Sequence, residues 1–303
     1  MNFTRTPAGL SNQHRFHRVD YVVFVEGGDE SFSFEQVCAG DTGKSSPDIV
    51  FWRHIFKRFS EHLSVVFKPV GSKSTLRRIA DKVATNEVTH VFVAMDQDVD
   101  RFCGRMLDAK GVFYTWGYSW ENDICQQDIL VDIVLTLTPM DAATVEPQIR
   151  SVLSTEIGAF QKQLARFARI DVLFKTHDGS LFPSKKYVSL VKSKSSHSTP
   201  PVLDVSKLKT LLRQKRAWSR NRRPFSLPAD TVFQLNRDVF GHLYCTYCYR
   251  LLLHVFKTYA AVPTMALVNA TALASSILAK EMSSTQMPEI YNHYAQQFAC
   301  AKN

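Results

Sequence analysis

Apolar positions along this chain change their period near its middle. In the first 120 residues they form short unbroken runs, Tyr21-Val22-Val23-Phe24-Val25 and Val91-Phe92-Val93-Ala94-Met95. Between these runs apolar residues recur every three to four positions. The runs predict strands covered on both faces, and the intervening spacing predicts helices. The expected order is a strand over 21–25, a short helix within 31–38, a polar loop over 40–47 and a helix over 49–62. A strand over 64–70 follows, then a helix capped at the Gly71-Ser72 turn and running through 83, a strand over 88–95 and a short strand over 113–116. Strand–helix alternation argues for βαβ units and a parallel sheet. Beyond residue 140 the spacing turns helical over 145–170 and 239–259, with a basic helix over 203–218 and an apolar-faced helix over 262–282. The fold class expected is therefore α/β: an N-terminal extension (1–19), a parallel-sheet domain (20–142), then a mainly helical region (143–303). The boundary is placed between Pro139 and Pro147.

Composition narrows the class. At 303 residues, 45% hydrophobic and 21% charged, the chain is an ordinary globular protein, neither disordered nor fibrous. The first twenty residues carry no apolar core of a leader, and 266–279 is too short and interrupted to span a bilayer, so a cytoplasmic protein with no membrane contact is expected. Six cysteines without framework spacing suit reduced thiols.

Charge is divided unevenly. Residues 1–150 hold 16 Lys and Arg against 20 Asp and Glu, and residues 151–303 hold 21 against 8. Twelve bases and one acid, Asp204, lie between Lys185 and Arg223. Within the basic, loop-rich segment over 175–225, Lys215, Arg216, Arg220, Arg222 and Arg223 surround Trp218. Cations for phosphates beside an aromatic ring for bases predict nucleic-acid binding; a solvated loop, suggested by SKSSHSTPP over 193–201, is the alternative. Charge alone specifies a polyanion and leaves RNA and DNA both open.

The candidate chemistry sits where the two strongest strands stop. Glu26 follows the first, Asp96 and Asp98 follow the third, and ligands of open α/β sheets bind at that carboxyl edge. Carboxylate oxygens suit hard divalent cations, and such an ion can neutralise phosphoryl charge and activate water. Asp96 and Asp98 are cast as metal ligands, and Glu26 as a ligand or general acid/base whose glycine neighbours let a phosphate approach. Asp29 is expected to cap the following helix.

Glu26-Gly27 after one strand and Asp96-Gln97-Asp98 after another resemble the TOPRIM domain of topoisomerases, primases and OLD-type nucleases. Tyr118-Ser119-Trp120-Glu121-Asn122 is similar to the Y-S-x-E-N element of a TOPRIM-like family of bacterial defence effectors. The resemblance covers roughly residues 20–125. It implies a Rossmann-like TOPRIM fold, one or two Mg²⁺ or Mn²⁺ ions, and a toxic anti-phage endonuclease acting on tRNA. It also implies a companion ABC-type ATPase that sequesters the nuclease, and a homodimer as the active form. Glu30 takes the place of a second acid in the pattern E-G-x-x-D/E and is expected at a second metal, with Asp100 and Glu121 at or next to the ions. The family's C-terminal Lys has no counterpart; Phe240-Gly241-His242 stands there, and His242 is the candidate transition-state donor.

Other readings compete. An OLD-like DNase and a non-catalytic nucleic-acid-binding or interaction module share the same features. Topoisomerases and primases need more chain than this. CAGDTGKS over 38–45 is one glycine short of a P-loop, which makes an NTPase the more distant alternative and leaves Lys44 and Lys73 as surface lysines. Cys245-Thr246-Tyr247-Cys248 lacks a second pair at zinc spacing and reads as buried thiols.

Overall fold

The computed structural model describes residues 7–177, 179–219, 233–262 and 264–302, the side chains of 7, 8, 216–219 and 302 excepted. In chain order, α1 (Pro7–His17) precedes β1 (Tyr21–Val25), α2 (Phe34–Cys38) and α3 (Pro47–Phe59) lead to β2 (Val65–Pro69), and α4 (Lys73–Ala84) leads to β3 (Val91–Met95). The short α5 (Asp100–Cys103) precedes β4 (Val112–Tyr114). Then come α6 (Trp120–Ile124), α7 (Gln127–Leu137), α8 (Ala142–Lys175), a 3-10 turn (Tyr187–Leu190), and the antiparallel pair β5 (Val191–Lys192) and β6 (Val202–Leu203). The described chain closes with α9 (Val205–Ser219), α10 (Leu235–Asp238), α11 (Gly241–Tyr259), α12 (Leu267–Glu281) and α13 (Pro288–Lys302). The protein is α/β, with one four-stranded parallel sheet, and among the described residues no helix is long and apolar enough to cross a membrane.

The chain forms two compact units. One holds residues up to 97, 106–116 and those from 278 on; the other holds 98–105 and 117–277. This differs from a single cut near residue 142. The reason is α13, whose Ile290, Tyr294 and Phe298 recur at four-residue spacing and are buried, so the C-terminal helix belongs to the sheet unit. Pro147 marks no boundary either, because α8 runs through it.

In the sheet unit the strand order is β2-β1-β3-β4, with Val25 opposite both Pro69 and Ala94. Val22, Phe24, Val93 and Met95 pack on one face with Leu10, Val37 and the apolar stripe Leu76, Ile79, Ala80 and Val83 of α4. On the other face Phe56 of α3 meets Phe67, Phe92, Phe113 and Phe298 with ring centroids 4.9–6.0 Å apart. Truncating so enclosed a ring costs about 3–5 kcal/mol. Helix starts follow local chemistry: Ser33 forms a capping box with Gln36 and Ser72 caps α4, so Asp29, exposed in its loop, is not the cap.

In the helical unit α11 is buried against α6, α7 and α8, and Phe160 of α8 stacks on Tyr247 of α11 at 3.8 Å. The one acid of the basic run has a structural task. Asp204 accepts from Ser206 and from the Lys207 amide at the start of α9 and pairs with Lys192 at 2.8 Å.

Candidate active site at the carboxyl edge of the sheet

Strand order reverses between β1 and β3, since β2 lies on one side of β1 and β3 and β4 on the other. In open α/β sheets ligands bind at the carboxyl edge beside such a reversal. Glu26 leaves β1 and Asp96 leaves β3; with Val25 opposite Ala94, the two acids extend from adjacent strands one residue out of step. Both are half-buried, on strands roughly 4.8 Å apart. The structure thus places Glu26 and Asp96 at the same end of neighbouring strands. Glu30 is exposed on the loop that follows.

The surrounding loops are tightly stitched. The Gly71 amide donates to the Gly27 carbonyl at 3.2 Å, and the Ser31 hydroxyl donates to the Gly71 carbonyl at 2.8 Å. Gly71 has φ +69°, and a Cβ there would fall 1.8 Å from the Glu30 carbonyl oxygen. Gly27 corrects the expectation of an open phosphate approach. A Cβ at that position would meet Asp48 Oδ2 at 2.1 Å and Ser46 Oγ at 2.2 Å, so its small size accommodates the protein's own side chains.

Two charged groups at this edge were not anticipated. Asp48, at the start of α3, is buried beside Gly27 and accepts from the Ser46 hydroxyl at 2.9 Å. Lys73, half-buried at the first position of α4, donates its ammonium to the Asp96 carbonyl at 2.5 Å. It is not a surface lysine. The available signal was its place in the turn after a parallel strand, which returns the chain at that edge.

The remaining acids belong to the helical unit. Asp98 has φ +51° and its amide donates to the Tyr118 carbonyl at 2.6 Å. A non-glycine residue held there costs on the order of 1–3 kcal/mol, a strain common at functional sites. Asp100 is buried and pairs with Arg105 at 3.6 Å. Glu121 is buried and lies 2.5 Å from Nδ1 of His242, whose half-exposed ring stacks on Tyr187. Burial raises the Glu121 carboxyl, but the His242 hydrogen bond and charge, with the Ser119 hydroxyl, outweigh it and leave the group below its ordinary value. An exposed imidazole backed by a buried carboxylate is a competent proton-transfer pair. Among the described residues, no three or more His, Cys, Asp or Glu side chains gather to hold a metal ion. The expected six-acid cluster of Glu26, Glu30, Asp96, Asp98, Asp100 and Glu121 is therefore not one ion-holding group.

The rest of the Y-S-x-E-N element holds backbone. Asn122 closes a capping box with Ser119 and donates to the carbonyls of Asn236 and Val239 at 3.1 Å each. Tyr118 accepts from Lys175. Gly241 abuts the same residues: a Cβ there would fall 1.9 Å from Ser119 Oγ.

On α9, Lys215 is exposed, as is Arg213. Arg216 and Trp218 lie on the same helix, but their side chains are outside the described residues, as are Arg220, Arg222 and Arg223 altogether. The P-loop imitation follows helix α2 instead of a strand. Cys125 joins Cys245 and Cys248 as a third buried thiol. Its hydrogen bond with Cys245 lowers its pKa, but Cys248 and burial override this and push it well above the usual value; Cys125 and burial do the same to Cys245. Thiols held protonated are poor ligands and nucleophiles.

No family model matches the chain, and no curated protein matches it.

Proposed function

We propose that the chain is a metal-dependent endonuclease of TOPRIM-like type that cleaves RNA. One observation carries the reading: Glu26 and Asp96 leave neighbouring parallel strands where strand order reverses. Two carboxylates suit a Mg²⁺ or Mn²⁺ ion, which takes one or two from protein and leaves its other positions to water and substrate phosphate. Glu26 and Asp96 would hold it, and a ligand role for Asp98 rests on the motif resemblance alone. Bound there, such an ion would neutralise phosphoryl charge and lower the pKa of water. Glu26 also takes the proton of the attacking water, and the Lys73 ammonium adds fixed positive charge at the edge where negative charge develops. The role of His242 as transition-state donor rests on the motif resemblance alone; within its own unit it is held by Glu121. Asp100, paired with Arg105, and exposed Glu30 are not required.

Exposed Arg213 and Lys215 support a polyanionic substrate. The choice of tRNA, a defence role, release from a companion ABC-type ATPase and an active homodimer rest on a motif resemblance to AriB, the effector of the PARIS anti-phage system. A second reading, a nucleic-acid-binding module without catalysis, is favoured by Lys73, whose ammonium brings to this edge the charge an ion would supply.

Incubation with total cellular RNA and with plasmid DNA in Mg²⁺, beside Glu26→Ala, Asp96→Ala and EDTA, separates these. Discrete tRNA fragments are expected, reduced at least ~100-fold in all three controls. Cutting of DNA alone makes the protein an OLD-like DNase, and binding without cutting establishes the second reading.

A further inference from the structure

The two edges of the sheet are finished differently. At β4, the Gln297 side chain imitates a neighbouring strand: its oxygen accepts from the Tyr114 amide at 2.7 Å and its nitrogen donates to the Tyr114 carbonyl at 3.1 Å. Such capping blocks pairing with another chain. At β2, the even-numbered residues face β1, as the Tyr21 amide to the Ser64 carbonyl and the Val70 amide to the Val25 carbonyl show. Odd-numbered residues therefore turn their peptide groups outward. Pro69 has no N–H, and its carbonyl accepts from Gly43 at 2.9 Å. That leaves the outward groups of Val65 and Phe67, for which no hydrogen bond is found among the described residues.

Alongside this edge runs a groove of about 460 Å³ between β2 and α3. Lys44, Arg53 and Lys57 line it and are exposed, against the single acid Glu61. Arg53 and Lys57 stand one turn apart on α3. No ion pair to any of the three is found among the described residues. The local field is positive enough to help lower the pKa of His54, whose largest cause is burial, followed by Arg53 and Lys57.

We infer that β2 is a docking edge for an extended peptide segment of a partner protein, acidic at every second position. Its backbone would pair with Val65 and Phe67, and its acidic side chains, all on one face of the added strand, would meet Lys44, Arg53 and Lys57. A second copy of this chain is disfavoured, because pairing β2 with β2 brings the same cations together. Single-stranded nucleic acid is disfavoured because the two aromatic lining residues pack on each other: Phe56 is only 2% exposed, and the half-buried Phe67 meets it edge-on with ring centroids 5.5 Å apart. The inference does not rest on the nuclease reading.

The test uses the full chain and a fluorescein-labelled ten-residue peptide alternating glutamate and valine. Anisotropy should show binding that weakens at least tenfold when lysine replaces glutamate, and at least tenfold in Arg53→Glu/Lys57→Glu. N-methylating alternate peptide nitrogens should abolish binding in one of the two possible phases and spare it in the other, a comparison that needs no protein variant. Hydrogen exchange should slow at Val65 and Phe67. Equal binding of both N-methylated peptides, slowing confined to other residues, or tighter binding of ten-nucleotide oligouridine at the same site would overturn the inference.

Discussion

Asn122→Ala should unfold the helical unit more readily. Asn122 is fully buried, and its side chain serves three backbone groups: the Ser119 amide at 3.1 Å and the carbonyls of Asn236 and Val239. Alanine removes all three partners without admitting a replacement. At about 1 kcal/mol for each buried group left unsatisfied, the loss is about 3 kcal/mol, near the upper end for a single substitution. In a unit of this size that corresponds to a Tm about 6–12 °C lower. Urea unfolding followed by circular dichroism gives the value directly, since an unchanged slope with a lowered midpoint isolates stability from compactness. A loss below about 1 kcal/mol would refute the reasoning.

Two further outcomes follow from the charges. The depressed folded-state pKa of Glu121 means its stabilising contribution is present above its ordinary value of 4.5 and disappears as pH falls through the lowered one. The stability gap between the parent and Glu121→Gln should therefore be wide at pH 7 and narrow as pH falls below 4.5; a constant gap would deny the ion pair. Arg213→Gln/Lys215→Gln should flatten the salt dependence of single-stranded RNA affinity by about 1.4 in the log–log slope if each contacts one phosphate, and an unchanged slope removes α9 from the interface.

Strands β1 and β3 were legible because a run of five apolar residues covered on both faces has few other structures open to it, and the acids at their ends announced the edge. Loop chemistry at Ser72 was legible for the same local reason. What escaped depends on contacts remote in sequence. The spacing within 288–302 is helical, but nothing in it states that Tyr294 and Phe298 cover the second face of a sheet formed near the chain's beginning, so the unit boundary was misplaced. Lys73 in a polar turn reads as solvated until parallel topology returns that turn beside the end of β3. Glu121 reads as a metal ligand until His242 is found against it.

The Y-S-x-E-N element shows why a motif and a mechanism are different objects. Tyr118 is held by Lys175, Ser119 and Asn122 cap each other, and Asn122 grips the carbonyls of Asn236 and Val239, immediately before Gly241 and His242. Gly241 must be glycine here because its neighbours Ser119 and Asn122 leave no room for a Cβ. The consequence of this clamp is that the start of α11 is pressed onto α6, and His242 arrives 2.5 Å from Glu121. Tyr118, Ser119, Asn122 and Gly241 thus position Glu121 and His242. The pattern reports a backbone clamp first and a carboxylate second, and a search for the proton-transfer partner of such a carboxylate should begin at the helix start that the clamp holds.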